Sequence, residues 1–394
     1  MKNRKFNYSF FFFVVILIFS FYERNEMTTI TFSKLDLSVD EMNLRYRLLL
    51  FVLCGGFCLF NPRPKNHLSL VFTVMMVYIL GVSMFNIETG NSSKYIMLSA
   101  TILLPIPIFY YFFNAAQTIN TRYFYCGIIF ACVLIFISFL SVYQVQLYYA
   151  LTDETRAGSL YIFLFLLPLF LIVKKNLYKY VSIFVVAAAM VFSLKRGGAI
   201  SFAMALVIFY LVNIHIAKGG IKIKNIVLMV VALIVIYLII TIGMQNYAGD
   251  MFERLESMRE DEGSARVQVY ETTWNMIVNS DISKLWLGHG WDSVVKYSPM
   301  NLSAHNDFLE VIYDFGIIAF GLYLYFYYSL YKLMFRLIHR RSEYAPAFAF
   351  SVITFTINST VAHILIYPYY YIAVAAVWGY ILGKEKQFLI HRLK

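Results

Sequence analysis

Gly263-Ser264-Ala265-Arg266, Leu287-Gly288-His289-Gly290-Trp291 and Ser303-Ala304-His305-Asn306-Asp307-Phe308 punctuate one stretch, Tyr247 to Asp314, that is polar while nearly everything around it is apolar. Outward from it in both directions the apolar residues arrive in runs of roughly 15 to 25, the length a helix needs to cross a bilayer. Of the 394 residues 60% are hydrophobic, 19% aromatic and only 14% charged. A soluble domain carries about 25% charged residues, so a surface facing water all round is excluded. Lipid admits only helices and closed barrels, because every backbone polar group must be satisfied internally. The two-residue alternation of a barrel is absent, so the chain reads as an all-α polytopic membrane protein.

Candidate spans fall at about 8–22, 48–61, 68–86, 95–114, 123–143, 159–173, 180–194, 199–214, 225–244, 307–333, 346–366 and 367–383, which makes about twelve. Lys2, Arg4 and Lys5 ahead of Tyr8 to Tyr22 imitate a signal peptide. The run leaves through Ser20-Phe21-Tyr22-Glu23-Arg24 without a small-residue cleavage site, so it is expected to stay as the first span. With the N-terminus in the cytoplasm, the inside segments hold 20 of the 33 basic residues and only Glu343 and Glu385 among the acids. That bias predicts both termini inside and the polar 245–306 loop, before the tenth span, outside. The net charge of +11 then follows from topology and does not point to nucleic acid. Cys54, Cys58, Cys126 and Cys132 all lie in apolar runs and form neither a disulfide framework nor a metal pattern. With no long linker or internal repeat, 1–394 reads as one integral membrane domain.

Within the loop Ser264 is a candidate N-cap. After it Val267, Tyr270, Trp274 and Ile277 recur at spacings of three and four, predicting an amphipathic helix on the outer interface or across the mouth of a cavity.

Three outward arginines stand out. Arg196 lies in the short turn Ser193-Leu194-Lys195-Arg196-Gly197-Gly198, Arg156 in Asp153-Glu154-Thr155-Arg156-Ala157-Gly158, and Arg266 in the first turn of the amphipathic helix. A guanidinium is permanently charged, planar and suited to phosphate oxygens. Each could equally form an ordinary ion pair with a nearby acid such as Asp153, Glu154 or Glu262. His305 closes the loop. On a helix Asn306, Glu310 and Asp314 follow at i, i+4 and i+8 with Asp307 beside them, a polar face descending from the outer surface. Ionisable groups at such a depth face water-filled cavities or partners. A histidine there can take a proton from a hydroxyl, and it can equally serve as a capping group.

Arg266 with Trp274 eight residues on, then Leu287-Gly288-His289-Gly290, His305-Asn306-Asp307-Phe308-Leu309 and Tyr313-Asp314-Phe315-Gly316, resembles the signature of the O-antigen ligase and polymerase superfamily. Ser193 to Gly198 resembles the family's upstream arginine turn. The likeness covers about 190–325 by motif and the whole chain by topology. The proline that often precedes the Gly-x-Gly element is missing, Lys284-Leu285-Trp286-Leu287 standing in its place, and no Asn-Pro-Asn-like segment follows Arg156. The resemblance implies a GT-C-like, inverting glycosyltransferase of the bacterial inner membrane, with no cofactor and no metal. Its donor would be a glycan on undecaprenyl pyrophosphate. Its acceptor would be a lipid-linked repeat unit or lipid A core, and a chain-length regulator is a possible partner.

The chemistry it implies gives Arg196 and Arg266, with Arg156 assisting, the growing charge of the pyrophosphate leaving group. It gives His305 the acceptor hydroxyl proton, and Asn306, Glu310 and Asp314 the substrate sugars or the orientation of His305.

A lipid-linked oligosaccharide flippase is the main non-enzyme alternative. Pro105, Pro107 and Pro168 within spans favour it, but they are not paired across two halves and the polar residues gather at one face. A metal-dependent transferase would need an Asp-x-Asp pattern in the first outer loop, which offers only Asp36 and Asp40-Glu41. Within the superfamily a polymerase, a ligase and a protein-targeting branch share donor and leaving group. General resemblance favours the polymerase.

Overall fold

The computed structural model describes residues 8–32, 40–61, 67–86, 92–148, 160–192, 196–217, 266–362, 364–365 and 368–393, and among them all regular structure is helical. In chain order the helices are Tyr8–Phe32 (α1), Asp40–Phe60 (α2), His67–Phe85 (α3), Ser92–Leu103 (α4), Pro105–Thr118 (α5), Thr121–Tyr148 (α6), Tyr161–Leu171 (α7), Asn176–Phe192 (α8) and Arg196–Ile216 (α9). Beyond the loop come Arg266–Val278 (α10), Ile282–Leu287 (α11), Ser293–Tyr297 (α12), Asp307–His339 (α13), Ala345–Val361 (α14) and Pro368–Leu393 (α15). Every expected span falls on a helix or a pair of helices except the ninth, 225–244, which lies outside the described residues. Among the described residues four stretches are long and apolar enough to cross a membrane: 67–85, 98–118, 197–216 and 307–339. Membrane protein is therefore the class of the fold.

The prolines act locally. Pro105 opens α5, and the single apolar run expected over 95–114 is divided there between α4 and α5. A proline has no N–H and its ring crowds the carbonyl four residues back, so a helix restarts at it more readily than it continues through it. Pro168 is carried inside α7.

The chain divides into two compact units. In the first, made of 1–65, 99–163 and 368–394, α15 lies closely along α5 and α1 along α6. Aromatic rings fill the space between helices. Phe12 stacks on Phe124 at 5.2 Å, and Phe124 stacks on Tyr380 at 3.7 Å. The second unit, 66–98 with 164–367, carries the superfamily-like motifs. There α9 packs on α14, where Asn358 donates to Ser201 at 2.7 Å, and α13 packs on α3 and α14. Tyr325 of α13 meets His67 at the start of α3 (3.0 Å), while Asn86, just past the end of α3, meets Lys284 of the loop (2.6 Å). The two helices thus run antiparallel, and the loop sits at the end where α3 finishes and α13 begins.

The amphipathic helix forms as α10, but its buried face is Val269, Thr273 and Ile277. Of the expected stripe, Ile277 is buried, Tyr270 half-buried, and Val267 and Trp274 exposed. Thr273 satisfies its own hydroxyl on the carbonyl of Val269 (2.8 Å), so a nominally polar residue can take the inner face. Ser264, the expected cap, lies outside the described residues.

Candidate active site

The site is built on a break in α13. Gly316 has φ 80° and ψ 175° inside an otherwise continuous helix. This backbone conformation is open to glycine and costly for residues with a Cβ. At the break the carbonyls of Tyr313 and Asp314 turn to the loop and accept the N–H groups of His289 (3.2 Å) and Gly290 (2.7 Å). The two strands of backbone approach so closely that a Cβ on Gly288 would overlap the Asp314 carbonyl, and one on Gly316 would overlap the Trp286 carbonyl. Gly288 is itself at φ 87°. The Leu287-Gly288-His289-Gly290 and Tyr313-Asp314-Phe315-Gly316 motifs are therefore two halves of one joint.

Side chains lock the joint. Asp314, fully buried, accepts from the backbone N–H of Val294 at 2.9 Å and so fixes the start of α12. His289 stacks on the Tyr313 ring (centroids 4.1 Å, planes 11° apart), and its Nδ1 lies 3.0 Å from the Tyr313 carbonyl oxygen. A carbonyl only accepts, so Nδ1 carries the proton and Nε2 keeps its lone pair in the neutral ring. Burial lowers the pKa of His289 below its ordinary value of 6.5 and Lys284 lowers it further, against the Tyr313 hydrogen bond and Asp281, which raise it. Ile277, Val294, Ala304 and Tyr313 close into a small apolar cluster that binds α10, α12, the end of the loop and α13 together.

His305 sits on this frame. Ala304 before it is fully buried in the cluster, and Asn306 after it caps α13, its side-chain oxygen accepting from Phe308 N (2.9 Å) and Leu309 N (3.3 Å). Held from both sides, His305 takes a left-handed φ of 51° and is half-buried. A non-glycine residue in that region is uncommon and is kept where the surroundings over-determine it. Glu310, one turn into α13, is buried beneath the Ala304–His305 backbone. Asp307, also buried, accepts from the Leu365 N–H (3.2 and 3.3 Å) and from the Tyr323 hydroxyl (3.2 Å). The expected polar face of α13 is thus real in register, but it is covered by the loop and the 364–365 segment rather than open to a cavity.

The helices that carry or follow the three residues expected to do chemistry each touch the end of α14 or the segment just after it. Arg196 opens α9, and little more than one turn later Ser201 pairs with Asn358. Arg266 opens α10 and is exposed, and one turn later the Tyr270 hydroxyl donates to the Thr360 carbonyl at 3.3 Å. His305 precedes α13, whose Asp307 holds Leu365. Asn358, Thr360 and Leu365 thus tie α9, α10 and α13 in turn to one short stretch of chain. Arg156 lies outside the described residues, as do 193–195 of the arginine turn and the loop up to 265. Sequence reasoning passed over Asp307 as a fastener, Tyr270 as a tie, and His289 as anything beyond a motif position. Among the described residues no group of three His, Cys, Asp or Glu is placed to hold a metal ion.

No curated protein matches the chain. Residues 181–324 match the family model described as O-Antigen ligase. The matched segment begins within α8 and ends within α13, so it contains Arg196, Arg266, both halves of the glycine joint and His305. That match supports the O-antigen ligase/polymerase superfamily as the family of this membrane protein and, broadly, glycosyl transfer as its chemistry.

Proposed function

We propose that the protein polymerises undecaprenyl-pyrophosphate-linked oligosaccharide repeat units into O-antigen or capsular polysaccharide, with inversion and without a metal. The observation that supports this best is the convergence of the Arg196, Arg266 and His305 elements on 358–365. In this reading His305 takes the proton from an acceptor sugar hydroxyl as that oxygen attacks the anomeric carbon of the donor. The new C–O bond forms on the face opposite the pyrophosphate, and the bond to the pyrophosphate oxygen breaks with its electron pair. Charge grows on that oxygen as the bond lengthens. Preorganised cations at such a position act most strongly where charge develops, and this is the part given to Arg196 and Arg266, with Arg156 assisting. The imidazolium then releases its proton, and a general base of this kind typically contributes 10²–10⁴-fold. Asn306, Glu310 and Asp314 serve here to hold His305 and the joint in place rather than to contact sugars.

Twelve spans, a GT-C-like fold, cytoplasmic termini and an outward-facing site in the inner membrane complete the proposal, supported by the charge asymmetry of the sequence. The description of the matched family, O-Antigen ligase, favours a second reading in which the finished polymer passes to lipid A core. A polysaccharide ladder from cells lacking the protein, beside cells carrying His305→Ala, tests both. Single repeat units on lipid A core in place of the ladder would support the polymerase. Bare core with accumulated lipid-linked polymer would mean a ligase. A normal ladder from His305→Ala would remove the histidine from the mechanism.

A further inference from the structure

The outer face of the loop carries apolar residues that the fold leaves uncovered. On α10 Val267, Trp274 and Val278 form one stripe, and on α11 Ile282, Trp286 and Leu287 continue it; all are exposed, Val278 to 62% and Ile282 to 78%. The opposite face of α10 is already committed to the Ile277–Val294–Ala304–Tyr313 cluster. The exposed acid Glu271 borders the apolar stripe, and beyond it runs a polar one of Gln268, Asn275 and Asn279, also exposed. An apolar stripe flanked by polar residues, with tryptophans in it, is the pattern of a helix lying in the plane of a membrane surface.

The position of this face relative to the bilayer follows from the glycine joint. Helix α13 has 33 residues, which at 1.5 Å each is about 50 Å, well over the ~30 Å hydrocarbon thickness. Its first two turns carry Asp307, Glu310 and Asp314, all buried against protein. From Gly316 onward the uncovered large hydrophobic residues are Ile317, Ile318, Leu324, Tyr325, Tyr328 and Phe335, and the exposed basic residues Lys332, Arg336 and His339 come only in the last turns. The stretch from Gly316 to His339 measures roughly 35 Å at that rise and suits the bilayer. The Trp286 carbonyl lies directly against Gly316. The backbone of Trp286 is therefore level with Gly316, where the exposed apolar residues of the spanning helix begin.

We infer that the Val267–Trp274–Val278 stripe and the Ile282–Trp286–Leu287 corner rest in the headgroup–acyl boundary of the bilayer, at the level of Gly316, with lipid as their partner. Arg266 is thereby held at the depth of lipid phosphates, and the first two turns of α13 stand above the hydrocarbon. The inference rests on the membrane class of the fold and is independent of glycosyl transfer.

The full chain contains four tryptophans, Trp274, Trp286, Trp291 and Trp378. It would be placed in bilayer discs of phosphatidylethanolamine and phosphatidylglycerol, with and without lipids brominated near the headgroup end of their chains. Brominated lipid should quench about half of the emission, since two of four tryptophans are interfacial. Most of that quenching should vanish in W274F/W286F, and acrylamide added to the water should reach little of it. If the double variant does not fold, W274F and W286F are measured singly, each removing part of the lipid-dependent quenching. Quenching by brominated lipid that is unchanged in the variants, or Trp274 and Trp286 emission open to acrylamide, would overturn the inference. The latter is the result expected of a face held in water for a protein partner.

Discussion

In the first unit α15 presents Gly379 and Gly383, four residues apart, to the carbonyls of Phe109 and Phe113 on α5; in the second, Gly288 and Gly316 bring two backbone segments against each other. Both are contacts that a Cβ would obstruct, yet the physics differs. Gly379 and Gly383 stand within a regular helix and show no left-handed φ. They let two helices approach where lipid supplies no hydrophobic drive and dispersion must do the binding. Gly288 and Gly316 adopt left-handed backbone, and what they gain is a change in direction of hydrogen bonding from within α13 to the loop. One pair holds a fold together, the other positions a site.

The largest expected effect is on the first pair. Gly383→Leu places a branched side chain where the Phe113 carbonyl and the Ala116 methyl already lie. Overpacking typically costs about 1–3 kcal/mol, and here the obstacle is a backbone atom that cannot rotate away. The yield of monodisperse protein extracted from membranes should collapse. A well-folded Gly383→Leu protein would show that α5 and α15 can separate without loss, and the comparison would fail on that side.

Gly316→Ala should behave differently. A residue with a Cβ held at φ 80°, ψ 175° costs on the order of 1–3 kcal/mol, and the methyl must displace the Trp286 carbonyl and the Gly288 amide. The spans on either side do not depend on that contact, so the protein should still insert and purify. The His305 loop, fixed through Ala304 and Asp314, should shift, and a misplacement near 1 Å can cost about 10²-fold in rate. Polysaccharide formation falling by that order, with extraction yield near that of the parent chain, is the expected pair of results. Equal loss of yield in Gly316→Ala and Gly383→Leu would erase the distinction between a joint and a packing contact.

These contrasts were unequally legible in the sequence. The spans were readable because hydrocarbon thickness imposes a length on every apolar run, independent of its neighbours. The register of Asn306, Glu310 and Asp314 along one face was readable as well, since it depends only on helical periodicity. What covers that face was not, because the covering pieces, the Val294 and Ala304–His305 parts of the loop and residues 364–365, are brought there by long-range contacts. A glycine followed by Ile317-Ile318 in an apolar run gives no sign of positive φ until its partner is in place. The Gly379-x-x-x-Gly383 spacing is visible in the chain, but nothing local says that α5 is what it faces. On α10 the expected stripe is split, Ile277 lying inside and Val267 and Trp274 outside, and Thr273, its hydroxyl bonded to its own helix, takes part of the inner face.

The smallest expected effect sharpens the joint from the side of charge. His289 is held as a neutral ring, its pKa lowered chiefly by burial, with Nδ1–H on the Tyr313 carbonyl. An unfolded imidazole binds its proton near pH 6.5. The folded protein binds it at lower pH, so between the two values the unfolded chain carries more protons and stability rises with pH. The contribution is therefore complete above about pH 6.5 and is lost as pH falls through the lower, folded value. In His289→Gln an amide can still donate to Tyr313 but cannot titrate. The Tm of the detergent-solubilised parent should decline on passing from about pH 7.5 to about pH 5.5, either side of the ordinary imidazole value, and the His289→Gln protein should decline less. No difference in slope between the two would mean that His289 is open to solvent in the folded protein and that the joint is held by its glycines and backbone amides alone.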